Sequence, residues 1–209
     1  MRILITAGPT REYFDTVRFI SNPSSGKMGY EVAAVAARRG HDVVLVSGPV
    51  ERPDPDGVNV LRVVSAAEMF EASIVAFETC AAAILTAAVC DYRPTRKIDH
   101  KLKKQARMRP IQLQPTKDIC AYLGRIKVRR VVIGFAMEDH DHKAHAEAKL
   151  KRKQCDAIVL NGPENVGGDR AVVQILQALG GWMQPVAGSK REVAEHVITL
   201  VETLSLHGN

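Results

Sequence analysis

Short apolar runs alternate along most of the chain with longer stretches in which apolar and polar residues mix. The runs are apolar at nearly every position, which is typical of parallel strands buried on both faces: 2–7, 43–46, 58–63, 82–88, 131–136 and 157–160. The stretches between them predict helices at 30–39, 65–79, 116–123 and 143–153. This alternation predicts an α/β fold, a Rossmann-like three-layer sandwich in which helices cover both faces of a mostly parallel sheet.

The C-terminal part of the chain departs from this rhythm. Two apolar runs flank Gly180-Gly181, which predicts a β-hairpin over residues 171–186. Ser189 and Glu192 form a capping-box pattern that opens a last helix, and this helix is expected to reach about Leu204. No internal repeat or clear boundary interrupts the sequence, so we predict a single domain over residues 1–209.

Composition and charge limit the possible partners. Hydrophobic residues make up 46% of the chain and charged residues 25%, which is typical of a globular protein. The formal net charge of +6 favours anionic partners such as nucleotides, phosphorylated metabolites or nucleic acid. Aromatic residues are only 5%, which argues against a stacking platform for single-stranded nucleic acid.

The four cysteines are scattered and form no C-x-x-C pair, as is usual for a protein of the reducing cytosol. The most apolar run, 81–90, is too short to span a membrane. We therefore expect a cytoplasmic protein with neither a membrane nor a nucleic-acid partner.

A glycine- and serine-rich turn precedes the first predicted helix and is the first candidate site. Ser24, Ser25, Gly26 and Gly29 are small enough for main-chain N–H groups to approach an anion at the helix N-terminus. Asn22 lies just before them with an uncharged amide that both donates and accepts hydrogen bonds. Neither the P-loop nor the dinucleotide-binding pattern fits this turn. A polar turn that merely starts a helix is therefore the alternative.

The segment 93–109 is strongly basic. A single acid, Asp99, faces eight cationic residues: Arg93, Arg96, Lys97, Lys101, Lys103, Lys104, Arg107 and Arg109. The segment is either a solvated surface or a mobile lid that closes over an anionic substrate. Nucleic-acid binding is a third possibility, weakened by the scarcity of aromatic residues.

Two further clusters have both functional and ordinary interpretations. The run Glu138-Asp139-His140-Asp141-His142 contains metal-ligand residue types but no clear ligand spacing. Lys149 and Lys153 are four residues apart and share one helix face. They are either a phosphate-binding pair or two solvated surface lysines.

Several of these stretches, taken in order, closely resemble the phosphopantothenoylcysteine synthetase family. The matches are FDTVRFISNPSSGKMG at 14–29, AAVCDYRP at 87–94, and KLKK at 101–104, which is similar to the family's K-x-K-K motif. Gly134-Phe135, the Lys149/Lys153 helix and Asn161 complete the series, which covers nearly the whole chain. Bacterial members often carry this domain behind a flavin-dependent decarboxylase domain. Because this chain begins at the first strand, the resemblance implies a stand-alone form without flavin.

The resemblance implies a ligase of coenzyme A biosynthesis that joins 4′-phosphopantothenate to L-cysteine. The substrate carboxylate attacks the α-phosphate of a nucleotide, pyrophosphate leaves, and the cysteine amine then attacks the acyl-nucleotidyl anhydride. CTP is the usual nucleotide in bacteria and ATP in eukaryotes, and we expect CTP. The resemblance also implies Mg²⁺ and a homodimer in which the partner chain helps to close the site.

The resemblance carries over to individual residues. Asn22 and Lys101 are implied to be catalytic, with Asn22 orienting the carboxylate and donating to the anhydride carbonyl. Substrate contacts are implied for Asn22, Arg18, Ala87, Ala88 and Asn161. Nucleotide contacts are implied for Gly8, Ser24, Gly26, Gly29, Asp91, Lys101, Lys117, Asp118, Ile119, Cys120, Phe135, Lys149 and Lys153. No metal ligand is implied.

The sequence departs from the family pattern in three places. Cys90 replaces an alanine, Thr116-Lys117-Asp118-Ile119 replaces Asn-Pro-Asp-Ile, and Leu160-Asn161-Gly162 replaces Ala-Asn-Asp. The second departure leaves the nucleotide open between CTP and ATP. An NADPH oxidoreductase on a Rossmann-like sheet is a second hypothesis, but Ser24 stands where the dinucleotide fingerprint needs its first glycine. A non-catalytic nucleotide- or nucleic-acid-binding module built on the basic segment is a third.

Overall fold

The computed structural model describes residues 1–104, 110–138 and 140–207. In chain order its elements are β1 Arg2–Ala7, β2 Arg11–Tyr13, β3 Phe19–Ser21, α1 Lys27–Arg38, β4 Asp42–Ser47, β5 Val58–Arg62, α2 Ala66–Phe77, β6 Ala82–Leu85, β7 Tyr92–Pro94, β8 Leu113–Pro115, α3 Ile119–Ile126, β9 Val131–Met137, α4 His142–Lys153, β10 Ala157–Asn161, a 3₁₀ turn Pro163–Asn165, β11 Arg170–Gln177, β12 Gly181–Trp182, β13 Val186–Ser189 and α5 Lys190–His207.

Six parallel strands form the centre of the main sheet in the order β10-β9-β6-β1-β4-β5. Chain order therefore runs outward from β1 in both directions, as in the Rossmann fold. β11 joins antiparallel to β10, and β12 and β13 pair with β11. The predicted mostly parallel sheet is confirmed. The C-terminal hairpin is present as well, but its second strand is divided in two.

Alternating side chains of the central strands supply two separate cores. Ile3 and Ile5 of β1 face the layer that contains α1 and α5, and Leu4 faces the layer that contains α2, α3 and α4. All three side chains are fully buried. Because both faces of the strands are covered, the runs are apolar at nearly every position, and the predicted three-layer sandwich is confirmed.

The sequence patterns did not predict two short antiparallel ribbons. β2 and β3 pair between the first strand and the first helix. β7 and β8 pair with each other, and most of the basic segment lies between them in the chain. Each strand has three residues, too few for a readable alternation. Arg107 and Arg109 of the basic segment lie outside the described residues.

The helix starts agree with the capping patterns except at α3. Ser65 and Glu68 form the predicted capping box of α2, and Ser189 and Glu192 exchange the same pair of hydrogen bonds at α5. At α3 the cap is Asp118, whose Oδ1 accepts from the main-chain N–H of Ala121, so the helix starts at Ile119 and the predicted start at residue 116 was wrong. The Thr116 hydroxyl instead donates to the Cys90 carbonyl. Every helix in the described ranges is too short or too polar to cross a bilayer.

Candidate active site

The order of the parallel strands reverses between β1 and β6, and the loops that follow these two strands lie side by side. The Ala88 N–H donates to the Gly8 carbonyl at 2.9 Å, and Pro9 and Ala88 form a parallel bridge beyond the named strands. The reversal point of such a sheet opens a crevice at the carboxyl ends of its strands. Gly8, Ala87 and Ala88, all predicted site residues, therefore border the same crevice.

Glycines allow α1 to begin directly on this edge. Gly8 and Gly26 have φ values of +74° and +70°, a conformation that disfavours any side chain. A Cβ on Gly29 would lie 2.4 Å from Thr86 Oγ1 and 2.5 Å from the Ala7 Cβ. The first turn of α1 contains no acidic residue, and its N–H groups have no acceptor within the helix. This geometry favours an anion at the start of α1.

Asn22 is held over the loop that follows β6. Its amide nitrogen donates to the Ala88 carbonyl at 3.2 Å and to the Val89 carbonyl at 3.1 Å, although the residue as a whole is exposed. The structure thus brings Asn22 to Ala88, as the resemblance implies. Because the amide nitrogen of Asn22 is bonded to these two carbonyls, the amide oxygen is the atom that points away from them.

A buried carboxylate, Asp15, ties the basic segment to the β2–β3 ribbon. It accepts main-chain hydrogen bonds from Val17 at 2.8 Å, Arg18 at 2.7 Å and Leu102 at 3.2 Å, and it pairs with the Arg18 guanidinium at 2.8 Å. Arg18 also donates to the Leu102 carbonyl. Lys101, adjacent to this clasp, is exposed. The position of Lys101 therefore depends on Asp15.

Electrostatics keep the Asp15 carboxylate ionised. Burial alone would raise its pKa, but the N–H groups of Arg18, Val17 and Leu102 and the Arg18 charge outweigh burial and hold the pKa at about 2. Arg18, predicted to touch substrate, is engaged in this clasp instead of being free. The clasp sits beside a cavity of about 430 Å³ lined in part by Phe14, Ile98 and Ile111.

The predicted phosphate-binding lysines are paired with acids in this structure. Lys149 Nζ lies 2.5 Å from Glu138 Oε1, and Lys153 Nζ lies 3.3 Å from Asp118 Oδ2. A phosphate bound here would exchange places with these carboxylates. Lys117 is directed elsewhere, because its ammonium group pairs with Glu71 of α2 at 3.1 Å.

The predicted nucleotide contacts are divided between the two faces of the sheet. Phe135 is half-buried and packs against the layer of α1 and α5. The neighbouring Gly134 faces the opposite layer, where a Cβ would meet Cys120 Sγ at 3.1 Å and Cys155 Sγ at 3.6 Å. Cys120 therefore lies on the same face of the sheet as Lys149 and Lys153 of α4, and Phe135 lies on the other face.

Asn161 has a structural partner at the end of β10. Its amide oxygen accepts from Asn165 Nδ2 at 2.6 Å, and Asn165 in turn bonds to the N–H and carbonyl of Val172. This network fixes the turn between β10 and β11. It explains the position of Asn161 without a ligand.

Two residues of the histidine-rich run and His145 of α4 bring potential metal-ligand atoms together. The ligand atoms of His140, Asp141 and His145 lie within 4.8 Å of one another, and Asp139 lies outside the described residues. Glu138, which stands behind them, pairs with His145 at 3.3 Å and with Lys149. Because His140 and Asp141 are exposed and Glu138 is engaged, we assign no metal to this cluster.

The surroundings of the cysteines shift their pKa values in different directions, which offers a test of the part of the site near α3 and α4. The hydrogen bond with the Cys155 thiol and the charge of Lys153 lower the pKa of Cys120, although burial opposes this shift. Burial raises the pKa of Cys80 to about 11 and also raises the pKa of Cys90. We expect iodoacetamide at pH 8 to modify Cys120 at least about tenfold faster than Cys80 or Cys90. Peptide mass spectrometry measures the rates. Bound nucleotide is expected to slow the labelling of Cys120, and equal labelling of all three cysteines would contradict this assignment.

The strand order and the crevice define the chain as a Rossmann-like α/β domain. The chain belongs to the family described as the DNA/pantothenate metabolism flavoprotein C-terminal domain, whose model matches residues 1–204. The family resemblance seen in the sequence is thereby confirmed.

Individual relatives agree with this family. The chain is 38% identical over 208 residues to the coenzyme A biosynthesis bifunctional protein CoaBC of Bacillus subtilis, covering 97% of this chain and 51% of that protein. It is 49% identical over 168 residues to a protein named cysteine/cysteine sulfinic acid decarboxylase from an unknown prokaryotic organism, covering 79% of this chain and 47% of that protein. The chain thus spans about half the length of the curated relatives that it matches.

A crystal structure of the C-terminal domain of a CoaBC protein superposes with a TM-score of 0.84. The identity is 37%, and the alignment covers 100% of this chain and 96% of that domain. The similarity therefore extends over the whole fold described above.

Proposed function

We propose that this chain is a phosphopantothenate–cysteine ligase that joins 4′-phosphopantothenate to L-cysteine with CTP, through an acyl-cytidylate intermediate. The observation that carries the proposal is Asn22, held against Ala88 at the reversal point of the sheet and next to the start of α1. The identity to CoaBC proteins over nearly the whole chain supports it.

The first step brings two anions together, a carboxylate and a triphosphate. The N-terminus of α1 provides positive potential on one side of the crevice, and the ammonium groups of Lys149 and Lys153 provide it on the other. Asn22 is exposed, so its amide rotates away from the Ala88 and Val89 carbonyls and donates to the substrate carboxylate. An amide suits this role because a charged acid would repel the carboxylate.

In the second step the cysteine amine attacks the acyl carbon, and Asn22 stabilises the developing charge on the carbonyl oxygen. Lys101 is proposed to reach the site from the segment that Asp15 anchors. Closure of this segment over the anhydride would exclude water, which would otherwise hydrolyse it.

Magnesium is proposed as the cation of the nucleotide. Mg²⁺ binds mainly through phosphate oxygens and water, with one or two carboxylates from the protein. Asp91 comes shortly after Ala88 and Val89 in the chain, and its exposed side chain is proposed for that role. When bound, Mg²⁺ would neutralise charge on the leaving pyrophosphate.

A homodimer is proposed from an exposed apolar surface around the two short ribbons. Large apolar side chains that are more than a third exposed there include Val17, Phe19, Tyr92, Ile111 and Leu113. Contiguous exposed apolar side chains favour a protein interface. Sedimentation of the purified chain would test the dimer.

Product formation tests the proposed ligase. Purified protein with Mg²⁺, 4′-phosphopantothenate and L-cysteine is expected to give the mass of phosphopantothenoylcysteine when CTP is added. Product with ATP and not with CTP would replace the nucleotide and keep the ligase. Product with neither nucleotide, from folded protein, would contradict the ligase and favour a nucleotide-binding module.

Lys101→Gln tests the basic segment. We expect this change to slow nucleotide-dependent pyrophosphate release by about tenfold or more, because a cation near the leaving group is lost. Lys97→Gln is the matched control, since the Lys97 ammonium lies over the Tyr13 ring at 5.3 Å and turns toward the ribbon. Equal rates for wild type and Lys101→Gln would mean that the segment is only a solvated surface.

A further inference from the structure

Lys190 is a buried lysine that the sequence analysis did not select. It is the first residue of α5, and only 6% of its surface is exposed. No carboxylate in the described ranges forms an ion pair with its ammonium group. A buried, unpaired lysine is costly, and it usually serves a ligand or a reaction.

Lys190 lies where two helices begin. The Asp169 carboxylate pairs with Lys27, the first residue of α1, and the Asp169 carbonyl accepts from the Lys190 N–H at 2.9 Å. At the other end of α1, Arg39 pairs with Glu195 and Glu202 of α5. The two helices therefore run side by side in one direction, and the positive ends of both dipoles meet at Lys27 and Lys190.

Arg52 brings a third cation to this point. Arg52 comes two residues after Val50. The Val50 side chain lies close to Gly8 and Gly26 beside the start of α1, about 3 Å from where a Cβ on either glycine would be. The Arg52 Nε is buried and has no hydrogen-bond acceptor among the described residues. Burial, together with the charges of Lys27 and Arg52, lowers the pKa of Lys190, as expected when cations crowd around it.

We infer that Lys27, Arg52 and Lys190, with the N-termini of α1 and α5, form a binding site for a phosphoryl group. The acids nearby do not neutralise the cluster. Within the described ranges Asp169 forms an ion pair with Lys27 alone, and its side chain is 84% exposed, so an incoming phosphate can displace it. Glu192 is occupied with the N–H and hydroxyl of Ser189.

This site is separate from Lys149 and Lys153. α1 and α5 cover one face of the sheet, and Lys149 and Lys153 lie on α4 at the other. The fold thus offers two cationic sites on either side of one crevice. Under the proposed function there are also two phosphorylated substrates, a phosphomonoester and a nucleoside triphosphate. The assignment of the phosphoryl group to one of them rests on that function.

Binding of inorganic phosphate tests the site without any activity. Lys190→Met removes the charge and keeps the length of the side chain, and Arg52→Gln is a second variant in a surface loop. By calorimetry at constant ionic strength, we expect each variant to bind phosphate at least about tenfold more weakly than wild type. Lys151→Met, an exposed lysine of α4, is the matched control and is expected to bind as wild type does.

Unchanged phosphate affinity in folded Lys190→Met and Arg52→Gln would overturn the site, even if the ligase is active. Loss of phosphate binding in a chain without ligase activity would keep the site and contradict the proposed function. In an active ligase, a raised KM for phosphopantothenate alone would assign the site to the phosphomonoester, and a raised KM for the nucleotide alone would assign it to the triphosphate. Either result supports a phosphoryl site.

Discussion

Asn22→Asp is expected to fold as the wild type does and to lose product formation by about 100-fold or more. The amide is uncharged and donates two hydrogen bonds, here to Ala88 and Val89. A carboxylate has no hydrogen to donate, and it repels both these carbonyls and the substrate carboxylate. The rate of phosphopantothenoylcysteine formation under saturating substrates measures the effect.

Asn59→Asp is the matched control for this change, because Asn59 is an exposed asparagine of β5 away from the crevice. It introduces the same charge and is expected to leave the rate nearly unchanged. Thermal unfolding of both variants checks the fold. A folded Asn22→Asp variant with near wild-type turnover would refute the role proposed for Asn22.

Asp15→Asn is expected to lower the rate by about 10- to 100-fold by loosening the segment that carries Lys101. The amide oxygen can still accept from Val17 and Arg18, but the amide nitrogen would face the Leu102 N–H and the Arg18 guanidinium, donor against donor. As Asp15 acts through Lys101, the loss should appear in kcat for pyrophosphate release more than in KM for cysteine. Asp99→Asn, in the same segment but 97% exposed, is the control.

Acid unfolding provides a second readout for Asp15. Its pKa is about 2 in the folded chain against an ordinary value of 3.8, so the contribution of the ionised carboxylate to stability is complete above about pH 4. This contribution falls as the pH drops from about 4 to about 2, because the unfolded chain takes up the proton first. We expect wild type to lose part of its stability over this interval and Asp15→Asn to lose less. Identical pH profiles would contradict the role of Asp15.

The sequence was sufficient for the sheet, because its strands are long enough and buried enough to leave a pattern. Ile3, Leu4 and Ile5 are apolar in succession since each face of β1 meets a helical layer. The capping boxes of α2 and α5 were readable for a similar reason, because Ser and Glu three residues apart satisfy a local requirement.

The contacts that position the site depend on tertiary structure. Asp15 and Leu102 are 87 residues apart in the chain, and no local pattern pairs them. Lys190 lies in a readable capping box, yet its burial follows from the packing of α5 beside α1. Phe135 and Gly134 are neighbours in sequence but face opposite layers, which the period of a strand predicts once the strand is known.

Pyrophosphate release without cysteine distinguishes nucleotidyl activation of 4′-phosphopantothenate from other routes to the product. Wild-type protein is incubated with Mg²⁺, 4′-phosphopantothenate and CTP, and in parallel with ATP, before cysteine is added. We expect about one equivalent of pyrophosphate per active site and an enzyme-bound acyl-nucleotidyl anhydride, followed by release of the nucleoside monophosphate when cysteine is added. Product that forms only when nucleoside diphosphate and inorganic phosphate are released would contradict nucleotidyl activation at this site.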